Sequence, residues 1–145
     1  MGVQKYFTEA DKLQITNAIR VAETNTSGEI RVHIENKCAE DVLDRAAYIF
    51  EKLEMHKTAL RNGVLFYLAM EDRKFAILGD AGINEKVPEN FWESTKEVVI
   101  SKLKDGQVSE GLASGIIKAG EQLKTHFPYQ EDDVNELSDD ISFGK

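Results

Sequence analysis

The chain has 145 residues, 41% hydrophobic and 30% charged, with a formal net charge of −8. That length suits one domain, able to bury a core without disulfides or a structural metal. No Lys/Arg cluster supplies the basic footprint that a phosphate backbone needs, so nucleic acid is excluded as a partner; hard cations, basic proteins and small ligands suit the charge.

The single cysteine, Cys38, excludes an internal disulfide framework. The opening MGVQKYFTEADK has no apolar signal region, and no apolar run approaches the ~20 residues of a membrane span. The expectation is a cytoplasmic protein without membrane insertion.

Thr8 followed by Asp11 has the form of a capping box, and Ile15, Ala18, Ile19 and Ala22 follow at helical spacing. A helix is predicted from Thr8 to Thr24, ended by the turn chemistry of Asn25-Thr26-Ser27-Gly28. Ile30, Val32 and Ile34 then alternate with Arg31, His33 and Glu35, which predicts a strand near a sheet edge with one polar face and His33 at the surface. Apolar spacing over Asp41–Glu54 gives a second amphipathic helix. The short run Val64–Met70 reads as a central strand covered on both faces. Glu71-Asp72-Arg73-Lys74 is a hairpin turn, and Phe75–Leu78 is the returning strand, stopped by Gly79-Asp80-Ala81-Gly82. Two helices close the fold. One is marked by Phe91, Trp92, Thr95, Val98, Val99 and Leu103, with Trp92 read as core. The other is marked by Leu112, Ile116, Ala119 and Leu123, where Gly111, Gly115 and Gly120 each permit close packing.

The order α-β-α-β-β-α-α contains one right-handed βαβ unit and a central strand that needs cover on both faces. It predicts an α/β fold: a three-layer α/β/α sandwich with a small mixed sheet. Residues 1–127 form the domain. The six carboxylates between Glu131 and Asp140 mark residues 128–145 as an acidic, flexible tail.

Strand direction locates the candidate site. The first two strands are parallel and the third returns, so Gly28-Glu29, Asn62-Gly63 and Gly79–Gly82 converge on one sheet edge. Glu29, Asn62 and Asp80 there supply two carboxylates and an amide oxygen, the ligand chemistry of Ca²⁺ or Mg²⁺. The same residues admit a structural reading, in which Asp80 caps the turn after it and Glu29 is solvated or pairs with Arg61. The opposite edge carries Glu35, Asn36, Glu71 and Asp72; it lies at the carboxyl ends of the parallel strands but ranks second because its hairpin is tight. His33, His56 and His126 lack transition-metal spacing, and no nucleophile elbow or phosphate-binding loop is present.

Taken together, Thr26-Ser27-Gly28-Glu29-Ile30-Arg31-Val32, Asp44-Arg45-Ala46, Arg61-Asn62-Gly63-Val64-Leu65, the Glu71–Lys74 turn and Ile77-Leu78-Gly79-Asp80-Ala81-Gly82-Ile83 resemble the TPM-domain family over roughly Phe7 to Phe127. The resemblance implies an α/β/α sandwich and a divalent-cation module, with calcium the usual ion. It also implies two roles seen among members, acid phosphatase activity and membrane-protein assembly. Three functions follow as expectations. The first is a cation-binding module with a regulatory or protein-interaction role. The second is a metal-assisted phosphatase, with Arg61 facing the phosphoryl oxygens. The third is a metal-independent domain whose acidic tail docks a basic protein partner.

Overall fold

The computed structural model describes residues 3–129 and 137–144. After a 3₁₀ turn at Val3–Tyr6 come α1 (Glu9–Asn25), β1 (Glu29–Glu35), α2 (Val42–Lys52), β2 (Gly63–Ala69) and β3 (Lys74–Gly79). They are followed by a single turn α3 (Ala81–Asn84), then α4 (Glu93–Lys104), α5 (Val108–Leu123) and β4 (Ser142–Phe143). The sheet order is β3-β2-β1-β4, with β1 parallel to β2 and β4, and β3 antiparallel to β2. The expected α-β-α-β-β-α-α core is present, with α3 and β4 added.

All seven residues of β2 are buried. Val64, Phe66 and Leu68 pack into a core with α1 and α5, while Leu65, Tyr67 and Ala69 pack into a second core with α2. This alternation makes the three-layer α/β/α arrangement, with the helices split between the two faces. The start of α1 is the predicted capping box: Asp11 N–H donates to Thr8 Oγ1 at 3.0 Å, and Thr8 N–H donates to Asp11 Oδ2 at 2.9 Å. Trp92 is half-buried against the larger core, with its ring edge-on to Phe91 at 4.7 Å.

Glycine lets α5 lie close to two neighbours. A Cβ on Gly115 would stand 2.3 Å from Val99 Cγ2 of α4 and 3.3 Å from Phe66 Cε2 of β2. One on Gly120 would stand 2.7 Å from Ala22 Cβ of α1. Each glycine costs about 1 kcal/mol of helix propensity relative to Ala, and the close contact it permits offsets that cost.

One expectation is corrected. β1 lies one strand in from the sheet edge, beside β4 through His33↔Ser142 and Ile34↔Phe143, but its polar face is not solvated, because His33 and Glu35 are buried. Part of the stretch expected as a flexible tail lies against the domain. Residues 137–144 return to the domain, with Ile141 and Phe143 against the larger core and Leu137 against the smaller one. The carboxylates around them drew attention away from three apolar anchors. The part of the acidic stretch over 130–136 lies outside the described residues.

Gly115→Ala tests the α4–α5 contact, because propensity alone would make it stabilising. The expected result is a lower urea midpoint at unchanged slope, a loss of roughly 1–3 kcal/mol from overpacking. A raised midpoint would show that α4 moves aside freely.

Candidate functional site

The three glycine-bearing turns meet on one edge, as strand order requires. Glu29 pairs with Gly63 and Val64 with Gly79 in the ladders. Glu29 N–H donates to the Asn62 carbonyl at 3.1 Å, and Asp80 N–H donates to the Gly63 carbonyl at 3.0 Å. Glu29, Asn62 and Asp80 are all buried, at 4%, 2% and 6% exposure. The turn before β2 is pressed against α3, where a Cβ on Gly82 would lie 2.2 Å from the Leu60 carbonyl oxygen. Only glycine fits there.

The three side chains differ in what they already hold. Asp80 caps α3, accepting from Ala81 N–H at 2.7 Å, and takes a bidentate pair from Arg61 at 2.8 and 2.7 Å. Arg61 has a left-handed φ of 51°, and its side chain is half-exposed. Arg61 thus pairs with Asp80 and not with Glu29. Glu29 Oε1 accepts from Leu137 N–H at 2.7 Å, which ties the C-terminal segment to this edge. Asn62 Nδ2 donates to the Ser27 carbonyl at 3.0 Å, whereas its Oδ1 is buried with no partner among the described residues. Among the described residues, no three His, Cys, Asp or Glu side chains gather into a metal-binding set, so a cation here would need the amide oxygen as well as the two carboxylates.

Next to Glu29, Glu23 accepts from Ile30 N–H at 3.4 Å. Burial, then a hydrogen bond with Asp139 and that residue's charge, push the Glu23 carboxyl up to about 9. It therefore holds a proton at neutral pH.

The opposite edge contains a buried polar hub. Glu35 of β1 accepts from Arg45 of α2 at 2.8 and 3.0 Å, from the Tyr67 hydroxyl of β2, and sits 3.3 Å from His33 Nε2. His33 Nδ1 is 2.8 Å from Ser142 Oγ of β4, and its ring stacks on Tyr67 at 6.0 Å between centroids. Ser142, His33 and Glu35 follow one another as a hydrolytic triad does, but Arg45 cancels the charge that would stabilise an imidazolium. The arrangement is a clamp that seats β4. Asp72, the other carboxylate singled out at this edge, accepts from Cys38 N–H at 2.7 Å, while Glu71 is exposed.

Sequence reasoning placed His33 at the surface and passed over Glu23, Arg45, Tyr67 and Ser142 as site residues. One signal was available. Parallel pairing puts His33 and Glu35 on the β1 face that α2 covers, so these groups must find partners inside.

Burial would raise the Glu35 carboxyl, but hydrogen bonds from Arg45, Tyr67 and His33 outweigh it and hold it at about 2. Burial depresses His33 despite the opposing pull of Glu35. Both folded values lie below the unfolded ones, so both groups stabilise the fold above their unfolded values and withdraw that stability as pH falls. His33 acts first, below its ordinary 6.5, and Glu35 follows between 4.5 and about 2. Stability should therefore decline on acidification in two stages. Glu35→Gln should remove the lower stage and cost roughly 3 kcal/mol at neutral pH, as a broken buried pair does. Urea midpoints measured from pH 7 to 3 check this; a parallel decline in wild type and variant would rule out the hub as its source.

The description of the TPM domain matches residues 3–122 of this chain. A search of the curated proteins finds no match. Among solved structures, the BA42 protein of the psychrophilic bacterium Bizionia argentinensis is 46% identical over 98% of both chains, with a TM-score of 0.92. The N-terminal domain of a P. gingivalis protein shares the fold at 15% identity over 86% of this chain and 82% of that one, TM-score 0.71. So does the N-terminal domain of the cg2496 protein of Corynebacterium glutamicum, at 13% identity over 99% and 83%, TM-score 0.64. With the family match running through both parallel strands, the hairpin and most of α5, this chain belongs to the TPM-domain family.

Proposed function

We propose that the protein is a divalent-cation-binding module, calcium first and magnesium second, whose ion is held by Glu29, Asn62 and Asp80. The observation that carries this reading is Asn62 Oδ1, a buried carbonyl oxygen with no hydrogen-bond partner among the described residues, on the edge where two carboxylates also lie. Leaving such an oxygen without a hydrogen bond costs about 1–3 kcal/mol, and an amide oxygen together with carboxylates suits a hard cation. The net charge of −8 favours the same ligand.

The reading has a regulatory consequence. Glu29 holds the Leu137 N–H, so an ion on Glu29 competes with the docking of residues 137–144. Arg61 competes for the ion's place on Asp80, and its half-exposed side chain can leave for water at little cost. Ion binding thereby alters the presentation of the C-terminal segment, which gives a protein partner something to read. The phosphatase alternative has no comparable observation, since Arg61 is engaged with Asp80 rather than open to a phosphoryl group. No nucleic-acid contact is proposed. Among the described residues no helix is long and apolar enough to cross a membrane.

Titration of CaCl₂, then MgCl₂, into ¹⁵N-labelled, chelator-stripped protein is the test. Saturable amide shifts at Gly28-Glu29, Asn62-Gly63 and Asp80–Gly82 are expected, followed by shifts at Leu137. Asp80→Ala should abolish them while leaving the protein folded. Arg61→Ala should tighten binding slightly, because it removes a weak, solvent-screened competitor for Asp80. Shifts that never saturate and stay at Asp139 and Asp140 would mean charge screening only, and the metal-independent protein-binding reading would replace this one.

A further inference from the structure

A second, unrelated feature lies on the far side of the sheet, beside the free edge of β3. A groove of about 580 Å³ opens between the sheet and the end of α4. Its floor is apolar, built from Leu68 and Phe75 of the sheet and Ile100 and Leu103 of α4. That volume lies within the range of small-ligand sites. The charged residues in its lining are Arg73 and Lys104, both cations. In a chain of net charge −8, two cations and no carboxylate around one apolar groove is a local reversal of sign.

Neither cation is engaged elsewhere. Both are exposed, and among the described residues neither has a hydrogen-bond or ion-pair partner. Their neighbours behave otherwise: Lys74 donates to the Cys38 and Glu40 carbonyls, and Lys102 pairs with Glu110. Arg73 also stands at a left-handed φ of 52° in the hairpin, where glycine or asparagine is the easier residue. A glycine would adopt this backbone without strain.

We propose that this groove binds an amphipathic anion: an aliphatic chain ended by one carboxylate. The chain would lie on Leu68, Phe75, Ile100 and Leu103. The carboxylate would meet Arg73, whose planar fork suits it, and Lys104. Both parts are required, because the apolar floor alone has no preference for charge and exposed cations alone bind a small anion weakly. The site shares no residue with the cation edge, so the two proposals stand or fall separately.

Sodium decanoate below its micelle concentration is the probe, titrated into the labelled full chain, with decanol and acetate as the tail-only and anion-only controls. Saturable shifts at Leu68, Phe75, Ile100 and Leu103 are expected with decanoate, much weaker ones with decanol, and none with acetate. Arg73→Gly suits the backbone and should weaken decanoate binding about tenfold, with Lys104→Gln adding to the loss. Decanol binding as tightly as decanoate, equal affinity in the Arg73→Gly and Lys104→Gln double variant, or shifts that map elsewhere or fail to saturate would each overturn the proposal.

Discussion

The burial of β2 on both faces is the constraint from which the rest follows. A strand whose every residue is inside needs a hydrogen-bonded neighbour on each side and a helical layer above and below. β1 and β3 supply the first, and α1 with α5 on one face and α2 on the other supply the second. Once β2 is central, the turns before β1, before β2 and after β3 must share one edge. The meeting of Glu29, Asn62 and Asp80 on one edge is therefore a product of topology before it is a product of side-chain chemistry.

The two edges of the parallel pair solve the problem of buried charge differently. At the carboxyl edge, Glu35 is satisfied from three directions by Arg45, Tyr67 and His33. Hydrogen bonds from three sides hold the Glu35 carboxylate rigidly. At the amino edge the accounting is incomplete. Asp80 is held by a half-exposed arginine, Asn62 keeps an oxygen unmatched among the described residues, and Glu23 holds its proton beside Asp139. Open sheets usually bind ligands at the carboxyl end. Here the Glu35 hub occupies that end, beside a second buried amide oxygen, Asn36 Oδ1, that has no hydrogen-bond partner among the described residues.

The C-terminal segment joins both edges. Ser142 reaches His33 at the hub, and Leu137 reaches Glu29 at the amino edge. A few residues far from β1 in sequence thus touch one ionisable group at each edge, Glu29 and His33. The coupling is physical, since each contact is a hydrogen bond to a group that can change its charge or its partner.

Periodicity and turn chemistry determined much of this protein by themselves. The capping box at Thr8 and Asp11, the two-faced burial of Val64–Ala69, the hairpin and the meeting of the three glycine turns all follow from local pattern and strand direction. These features rest on spacing along the chain, which a single sequence displays. The tertiary structure alone decided the rest. The docking of Ser142–Phe143 beside β1, the choice of Asp80 over Glu29 by Arg61 and the burial of His33 each depend on a partner more than ten residues away. Alternating Arg31, His33 and Glu35 look solvated when read along one strand, because a polar side chain carries no local mark of whether water or a distant residue will satisfy it.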